Sequence, residues 1–383
     1  AFASLPLARL AERGGRTGII AIGIAAWSLA TMACGAAANF WQLLLARMGV
    51  GVGEAVQPAM IALIADKVPP ARRATMFAIY NMSIPLGAFA WAAGGGLIAA
   101  SIGWRWAFVI AGAPGLALAL LFRLTVRDAP VMHQPADIPS IGAVARHLLR
   151  KKSFVHGIGG ILIATFCVFG IQYFLPAWLM RAHGFDPAQA GLTLGLLSSL
   201  PAMLSMMAGG LLADRLARRD ARFYVWLPAA LLTLCVPIYL IALPQADWRA
   251  AMIGLLLIAF LQYSQTPLLS ALTQNMVSDR MRATASSLVG IVTNLFAAGC
   301  GPVFVGAASD FFAGRAYAGD YARDCATGAS PACAAAGAEG LTTAMMMAAV
   351  TFLWAVLHLI LAARWIREDL AEAVPAGIAA RSS

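Results

Sequence analysis

Two oppositely charged side chains, Arg47 and Glu54, lie within an otherwise mostly apolar stretch of the sequence at 40–65. Placing a charge at the centre of a bilayer costs roughly 2.5–3.5 kcal/mol on insertion scales. About seven residues of α-helix make almost two turns, so both side chains share one helix face, about 10 Å apart along the axis. We interpret the pair as transport machinery. The alternative is that each charge is neutralised by a structural partner on another helix.

The composition of the chain is that of a membrane protein. Of its 383 residues, 61% are hydrophobic and 11% are charged, whereas a soluble domain carries about 25% charged residues. Its apolar segments are long and continuous, and each is near the ~20 residues that a helix needs to cross a bilayer. We therefore predict an all-α polytopic membrane protein. The ten predicted spans are 17–37, 40–65, 75–100, 104–123, 154–180, 188–213, 223–243, 249–276, 284–309 and 341–365.

The distribution of basic residues predicts the orientation. If the spans alternate in direction, 21 of the 27 Lys and Arg residues fall on one face, five fall on the other, and Arg47 lies within a span. The positive-inside rule places the richer face, with the linker and the C-terminus, in the cytoplasm, and we expect a bacterial inner membrane. This bias accounts for the net charge of +10 without a nucleic-acid partner. The basic rim can contact anionic membrane lipids.

The six cysteines fall into two groups. Cys325 and Cys333 lie in the loop 310–340 on the opposite, oxidising side, where they either form a disulfide or remain free thiols. The other four lie within spans and are expected to be small core residues: Cys34, Cys167, Cys235 and Cys300. No spacing indicates a zinc or iron–sulfur site, so we expect no metal and no cofactor.

An internal repeat indicates two halves. Leu-Ala-Glu-Arg at 10–13 is echoed by Leu-Ala-Asp-Arg 202 residues later, and Arg-Ala-Thr at 73–75 recurs 209 residues later. Duplicated halves with a substrate site between them are a common transporter plan. The predicted domains are an N-terminal bundle (1–123), a cytoplasmic linker (124–153), a C-terminal six-helix bundle (154–367) and a cytoplasmic tail (368–383). Because the chain begins with Ala and its first half shows only four spans and a stub, we expect that its first helix and part of its second are missing.

Two motifs resemble those of the major facilitator superfamily. Its cytoplasmic signature, Gly-x-Leu-Ala-Asp-Arg-x-Gly-Arg, is matched well at 210–218 and less closely at 8–16, where Ala and Glu replace Gly and Asp. A carboxylate and a guanidinium at a helix end can latch onto a neighbouring helix terminus and its dipole. The resemblance therefore implies two six-helix bundles, the first incomplete here, and a conformational latch. The latch residues would be Glu12, Arg13, Arg16, Asp214, Arg215 and Arg218; alternatively, they are ordinary loop charges.

The second motif, Arg-x-x-Gln-Gly-x-Gly, is similar to 47–53, with Val50 and Gly51 at its Gln-Gly positions. A nucleotide-binding glycine loop is rejected because the required strand is missing. Gly49 and Gly53 instead form a Gly-x-x-x-Gly step, which predicts a close helix approach.

Several segments together resemble the spinster branch of the superfamily. They are Arg-Met-Gly-Val-Gly-Val-Gly-Glu-Ala at 47–55, Leu-Pro-Ala-Trp-Leu at 175–179, His-Gly-Phe at 183–185, Arg-Asp-Ala-Arg-Phe-Tyr at 219–224 and Met-Arg-Ala-Thr at 281–284. This resemblance implies the transport of lipids such as sphingolipids or lysophospholipids. It also carries the branch's functional Arg and Glu over to Arg47 and Glu54.

These observations lead to a mechanistic hypothesis. Glu54 takes up and releases a proton as water access alternates between the two faces, while Arg47 holds either Glu54 or an anionic headgroup. Further polar residues within the spans either line the cavity or make helix–helix hydrogen bonds: Tyr80, Asn81, Gln172, Tyr173, Gln262, Gln265 and Asn294. The expected partners are protons, membrane lipids and an amphipathic or lipid-like substrate, handled by a monomer.

Three other functions compete with lipid transport. A proton-coupled drug or small-metabolite antiporter shares the arginine-glycine motif, and a receptor or scaffold could keep the same fold. An intramembrane enzyme is disfavoured because no catalytic motif occurs at membrane depth, and His156 and His358 are isolated in the sequence.

Overall fold

The computed structural model describes residues 3–13, 15–90, 98, 101–128, 139–326 and 330–372. Nearly all of these residues are helical, and no strand occurs among them. The helices before the linker are α1 (Ser4–Arg13), α2 (Arg16–Ala36), α3 (Phe40–Glu54), α4 (Gln57–Lys67), α5 (Arg73–Asn81), α6 (Ser83–Ala90) and α7 (Trp104–Thr125).

The linker helix and the helices of the second half follow. They are α8 (Ile141–Arg150), α9 (Lys152–His183), α10 (Pro187–Ala217), α11 (Phe223–Ala242), α12 (Trp248–Gln262), α13 (Gln265–Asn275), α14 (Arg282–Val292), α15 (Gly301–Ala316), α16 (Tyr321–Asp324), α17 (Pro331–Val350), α18 (Phe352–Ala362) and α19 (Ile366–Ala371). A π-helical segment, Thr293–Cys300, joins α14 to α15.

Within the described residues, nine helical stretches are long and apolar enough to cross a membrane. They confirm the all-α membrane class and correspond to nine of the ten predicted spans. The remaining prediction, 75–100, begins as α5 and α6, and its later residues fall largely outside the described part of the chain. The nine stretches are Arg16–Ala36, Phe40–Lys67, Trp104–Thr125, Lys152–His183, Gln189–Ala217, Phe223–Ala242, Trp248–Asn275, Asp279–Ala316 and Pro331–Ala362.

Local sequence signals set several helix ends. The Asn39 side chain accepts a hydrogen bond from the Gln42 backbone N–H at 3.0 Å and so caps α3. Asp186 and Gln189 form a reciprocal capping box at the start of α10. Helix α9 ends at Gly184, whose φ of +69° is a left-handed conformation that glycine adopts without steric cost. These caps satisfy backbone groups that a helix end leaves unpaired.

The cysteines mostly lie where the sequence suggests. Cys34, Cys167 and Cys235 are buried, and Cys325 and Cys333 form a disulfide with a Cα–Cα distance of 5.5 Å. The bond joins the end of α16 to the start of α17. The core assignment of Cys300 is wrong, because this residue ends the π-helical segment and its side chain is exposed.

Helices α2 and α3 approach closely at the glycines of the second motif. A Cβ atom on Gly53 would lie 2.6 Å from the backbone N and Cα of Trp27, and one on Gly49 would lie 3.1 Å from the Ala30 Cβ. In contrast, no atom lies within 4 Å of the same position on Gly51. The predicted Gly-x-x-x-Gly approach is therefore present, and Gly51 takes no part in it.

We predict that Gly53→Ala destabilises the protein by about 1–3 kcal/mol, because the added methyl group overlaps the backbone of α2. Gly51→Ala is the matched control and should be neutral or slightly stabilising, since Ala favours a helix by up to about 1 kcal/mol over Gly. Thermal unfolding of the two purified variants in the same detergent measures the difference. Equal melting temperatures would show that the close approach is unimportant for stability.

Candidate functional site

The Glu12 carboxylate at the end of α1 accepts the first hydrogen bonds of a helix in the other half of the chain. Oε1 accepts from the Thr284 backbone N–H and Oε2 accepts from the Thr284 hydroxyl, both at 2.7 Å. Glu12 is buried, and the Arg9 guanidinium lies 3.3 Å from its carboxylate. An anionic acceptor suits this position because the N-terminus of α14 presents unpaired N–H groups and the positive end of its dipole.

Asp214, in the second half, makes the equivalent contact with a helix of the first half. Its two carboxylate oxygens accept from the backbone N–H groups of Ala74, at 3.2 Å, and Thr75, at 2.7 Å, at the start of α5. The Tyr224 hydroxyl also donates to Asp214, at 3.4 Å. Each copy of the first repeat therefore caps the Arg-Ala-Thr helix of the other half. We call this pair of contacts the reciprocal caps.

The arginines of the two Arg-Ala-Thr segments also cross between the halves. Arg282 forms an ion pair with Asp66 at the end of α4, and Arg73 donates to the Asn275 side-chain oxygen at 2.6 Å at the end of α13. Asp66 and Asn275 are themselves 209 residues apart, which is the offset between the two arginines. Arg16 pairs with the second oxygen of Asp66. One carboxylate thus holds two guanidiniums from different halves.

Burial changes the pKa of Arg73, one of the two arginines that reach into the other half. It lowers this pKa to about 10, and repulsion from Arg282 acts in the same direction. Arg73 nevertheless remains charged at neutral pH, since this value is well above 7. It can therefore bind Asn275 and the Gln274 carbonyl as a cation.

The predicted latch residues divide into two groups. Glu12, Arg16 and Asp214 make contacts between helices at this end of the molecule. Arg215 and Arg218 are exposed and make no hydrogen bond or ion pair within the described residues, so their part in the latch stays a prediction. The side chain of Arg13 lies outside the described part of the structure.

Sequence reasoning missed Asp66 and Asn275. Neither belongs to the recognised motif, and a single acidic or amide residue at a helix end resembles an ordinary loop residue. The available signal was their 209-residue offset, which matches the spacing of Arg73 and Arg282.

Arg47 and Glu54 lie on α3 as predicted, and both side chains are exposed. Glu54 is the last residue of the helix, and the chain turns at Ala55 and Val56 before α4 begins. Neither charge makes a hydrogen bond or an ion pair within the described residues.

Three of the predicted cavity residues are buried between helices. Asn81 donates to the Phe77 carbonyl of its own helix at 2.8 Å, and Gln262 accepts from the Tyr239 hydroxyl at 3.0 Å. Gln265 is also buried, and its side-chain oxygen has no hydrogen-bond partner within the described residues. The assignment of these three residues to a cavity stays a prediction.

The other four predicted cavity residues are more accessible. Tyr173 is 64% exposed, and Asn294 is exposed within the π-helical segment, where it donates to the Gly290 carbonyl. Tyr80 and Gln172 are half-buried, and Gln172 donates to the Tyr263 hydroxyl. π-Helical turns are frequent at functional sites. These four positions remain candidates for contact with a substrate.

The two histidines that are isolated in the sequence are neighbours in the structure. The Nδ1 atoms of His156 on α9 and His358 on α18 are 3.3 Å apart. Trp365 stacks on His156 with ring centroids 5.7 Å apart. A separation of 202 residues hides this pair from any local motif.

Two sets of membrane-crossing helices, joined at one end by reciprocal caps, define a membrane transporter built from two related halves. The model of the Major Facilitator Superfamily matches residues 1–302, and the chain belongs to that superfamily. This finding confirms the resemblance and the predicted fold. Members of the superfamily are transporters rather than enzymes.

Curated relatives point to two kinds of transporter. An "MFS-type efflux pump" of Mycolicibacterium smegmatis is 34% identical over 310 residues, which cover 80% of this chain and 72% of that protein. "Protein spinster homolog 1" of Homo sapiens is 26% identical over 328 residues, which cover 79% of this chain and only 62% of the human protein. A "Probable sphingolipid transporter spinster homolog 1" of Arabidopsis thaliana is 38% identical over 109 residues, or 28% of this chain and 22% of that protein.

Solved structures agree with this placement. A bacterial homologue of the human lysosomal transporter Spinster, in an inward-facing and unoccupied conformation, is 28% identical with a TM-score of 0.67, covering 96% of this chain and 86% of that one. The human organic anion transporter MFSD10 also has a TM-score of 0.67 and covers 93% of this chain and 80% of its own, but at 18% identity it shares the fold alone. The spinster relatives confirm the branch that the sequence indicates.

We predict that Glu12→Gln and Asp214→Asn each weaken the contact between the halves. A hydrogen bond to a charged group contributes about 1.5–3 kcal/mol, and each amide removes the charge and adds an N–H group that cannot accept. The closed population at this end should fall by more than tenfold, measured as a longer distance between spin labels on α5 and α10. Glu368→Gln, which removes an exposed carboxylate, is the control. Unchanged distances in both cap variants would contradict the role of the caps.

Proposed function

We propose that the protein is a proton-coupled secondary transporter that moves an amphipathic, lipid-like substrate by alternating access. The observation that carries this proposal is the exposed pair Arg47 and Glu54, which lies in a stretch apolar enough to cross a membrane and makes no hydrogen bond or ion pair with the described residues. An ionisable residue inside a membrane span is costly, so it is retained where it moves ions or binds substrate.

The chemistry of the pair suits coupling. A carboxylate gains proton affinity when water leaves it and loses proton affinity when a guanidinium approaches. Glu54 would therefore bind a proton in one state and release it in the other. Arg47 stays protonated throughout and can bind either the Glu54 carboxylate or an anionic substrate headgroup. Competition for Arg47 would link the movement of protons to that of substrate.

Apolar surface beside the polar candidates favours an amphipathic substrate. Leu295 and Phe296, next to Asn294 in the π-helical segment, are 50% and 44% exposed, and Phe304 is 39% exposed. Phe166 stands between the two phenylalanines, with ring centroids 5.4 and 5.5 Å away. A surface that combines aromatic rings with single polar groups suits an alkyl chain and a small headgroup. The spinster relatives, one of them called a probable sphingolipid transporter, support the same substrate class.

The reciprocal caps supply the conformational part of the proposal. They act as a latch that holds the halves together at the end richest in Lys and Arg, which we place in the cytoplasm of a bacterial inner membrane. The bundles 1–123 and 154–367 would separate there when the latch opens, and the linker 124–153 and the tail 368–383 would remain cytoplasmic. The working unit in this proposal is a monomer.

We predict that Glu54→Gln abolishes the pH dependence of transport and leaves the protein folded. Proteoliposomes containing the protein would be loaded with a fluorescent lysophospholipid, and flux would be followed with and without a pH gradient. The neutral amide cannot exchange the coupling proton, so the gradient should no longer accelerate flux. Glu368→Gln, which removes an exposed carboxylate outside the nine apolar stretches, should behave like the wild type.

Two results would count against this scheme. Equal pH dependence in the wild type and in Glu54→Gln would reject Glu54 as the coupling residue. Absence of lipid flux in a protein with normal thermal unfolding would reject the lipid substrate.

An efflux pump for drugs or small metabolites is the second candidate, favoured by the 34% identity to the Mycolicibacterium pump. Competition between a lipid and a drug for transport distinguishes the two candidates. If the lipid and the drug use one lipid-selective site, excess lysophospholipid should reduce the flux of a cationic fluorescent drug at least tenfold. Drug flux that persists unchanged, in vesicles that move no lipid, would favour the efflux pump.

A further inference from the structure

A cleft of about 430 Å³ opens between the linker helix α8 and the short helix α19. It lies near the reciprocal caps, because His147 on α8 contacts the Met276 carbonyl just after α13 at 3.2 Å. One side of the cleft is basic, with Arg146, Arg150 and Lys151. The cleft belongs to neither the candidate coupling pair nor the caps.

The two arginines project from the same side of α8. They are one helical turn apart, and both are exposed. Val144 and Leu148 are buried and hold the opposite side of the helix against the rest of the protein. Neither Arg146 nor Arg150 makes a hydrogen bond or an ion pair within the described part of the chain. Both guanidiniums therefore face the open space of the cleft.

The carboxylates across the cleft are already engaged. Asp369 accepts hydrogen bonds from the Ser153 backbone N–H, at 2.9 Å, and from the Ser153 hydroxyl, and so caps α9. Lys151 donates to the Asp369 carbonyl at 2.7 Å and lies 3.7 Å from the Glu372 carboxylate. The three basic side chains of the cleft therefore outnumber its two carboxylates, and neither carboxylate binds Arg146 or Arg150 within the described residues.

The neighbouring residues place the cleft at the depth of lipid headgroups. The span of α9 begins at Lys152, the residue after Lys151, and the Lys152 ammonium lies 5.4 Å from the ring centroid of Trp365. Tryptophan at the end of a span is typical of the membrane–water interface, and lysine side chains there extend toward the headgroups. A ligand that arrives with the bilayer would therefore meet the cleft.

We propose that this cleft binds the phosphate group of an anionic lipid headgroup, with Arg146 and Arg150 as its donors. The planar guanidinium presents paired N–H groups that match phosphate oxygens. The bound lipid would bridge the linker helix to the end of the last bundle.

The test is lipid binding by the purified protein in detergent, followed by native mass spectrometry during titration with phosphatidylglycerol or phosphatidylcholine. The double variant Arg146→Gln with Arg150→Gln should bind phosphatidylglycerol about thirty-fold more weakly, since each basic residue near an anionic surface contributes about a factor of five. Phosphatidylcholine binding should not change. Arg72→Gln with Arg219→Gln removes two exposed arginines outside the cleft and should bind like the wild type.

A second variant guards against loss of folding. Arg146→Lys with Arg150→Lys keeps both charges and removes the paired N–H geometry, so it should show an intermediate loss. Undiminished phosphatidylglycerol binding by the glutamine variant, or an equal loss in the Arg72 and Arg219 control, would overturn the proposal. Competition by inorganic phosphate at the same concentration as the lipid would show a soluble anion site and would also overturn it.

Discussion

The fold depends on one requirement: two helix N-termini, buried between the halves, must each find an anionic acceptor. The starts of α5 and α14 present backbone N–H groups that no residue of their own helix can accept. Asp214 and Glu12 reach across from the opposite half and accept them. An unpaired buried N–H would cost about 1–3 kcal/mol, so each half completes the other's helix. The contact is directional, because only one relative position of the halves aligns both carboxylates.

This arrangement bears on the proposed latch. The caps lie at the ends of helices, so breaking them would expose N–H groups to water and leave the interior of each bundle intact. Elsewhere the helices of one half are held by close packing, as where Gly53 meets the backbone of Trp27. Packed interiors tolerate little overlap, so these contacts would resist a change in the relative position of their helices. Under the proposed function, the halves would therefore separate at the caps while the packing within each half is kept.

The sequence predicted the fold class for a clear physical reason. Continuous apolar segments of bilayer length have few alternatives to membrane helices. The carboxylates at 12 and 214 and the Arg-Ala-Thr segments were visible in the sequence only as separate repeats. The sequence could not show that each carboxylate caps the helix of the other half, since repeats do not reveal which copies meet.

The polar residues within spans were harder to assign. Asn81, Gln262 and Asn294 are all single amide residues within apolar spans, so the sequence does not distinguish them. In the structure, packing buries Asn81 and Gln262 and leaves Asn294 exposed. Whether a side chain is buried depends on which face of its helix packs against a neighbour. A helix that is apolar on all sides has no amphipathic pattern from which that face could be predicted. His156 and His358 show the same limit, because their contact joins helices 202 residues apart.

The charged side chains of the protein differ in whether they have a partner within the described residues. Asp66 binds both Arg16 and Arg282, and Glu12 accepts hydrogen bonds from Thr284, so these groups hold helices of the two halves together. Arg47 and Glu54 make no such contact within the described residues, although a lone charge is costly in an apolar span. Under the proposed function, the two charges would exchange partners during transport, because a proton and an anionic headgroup would compete for them.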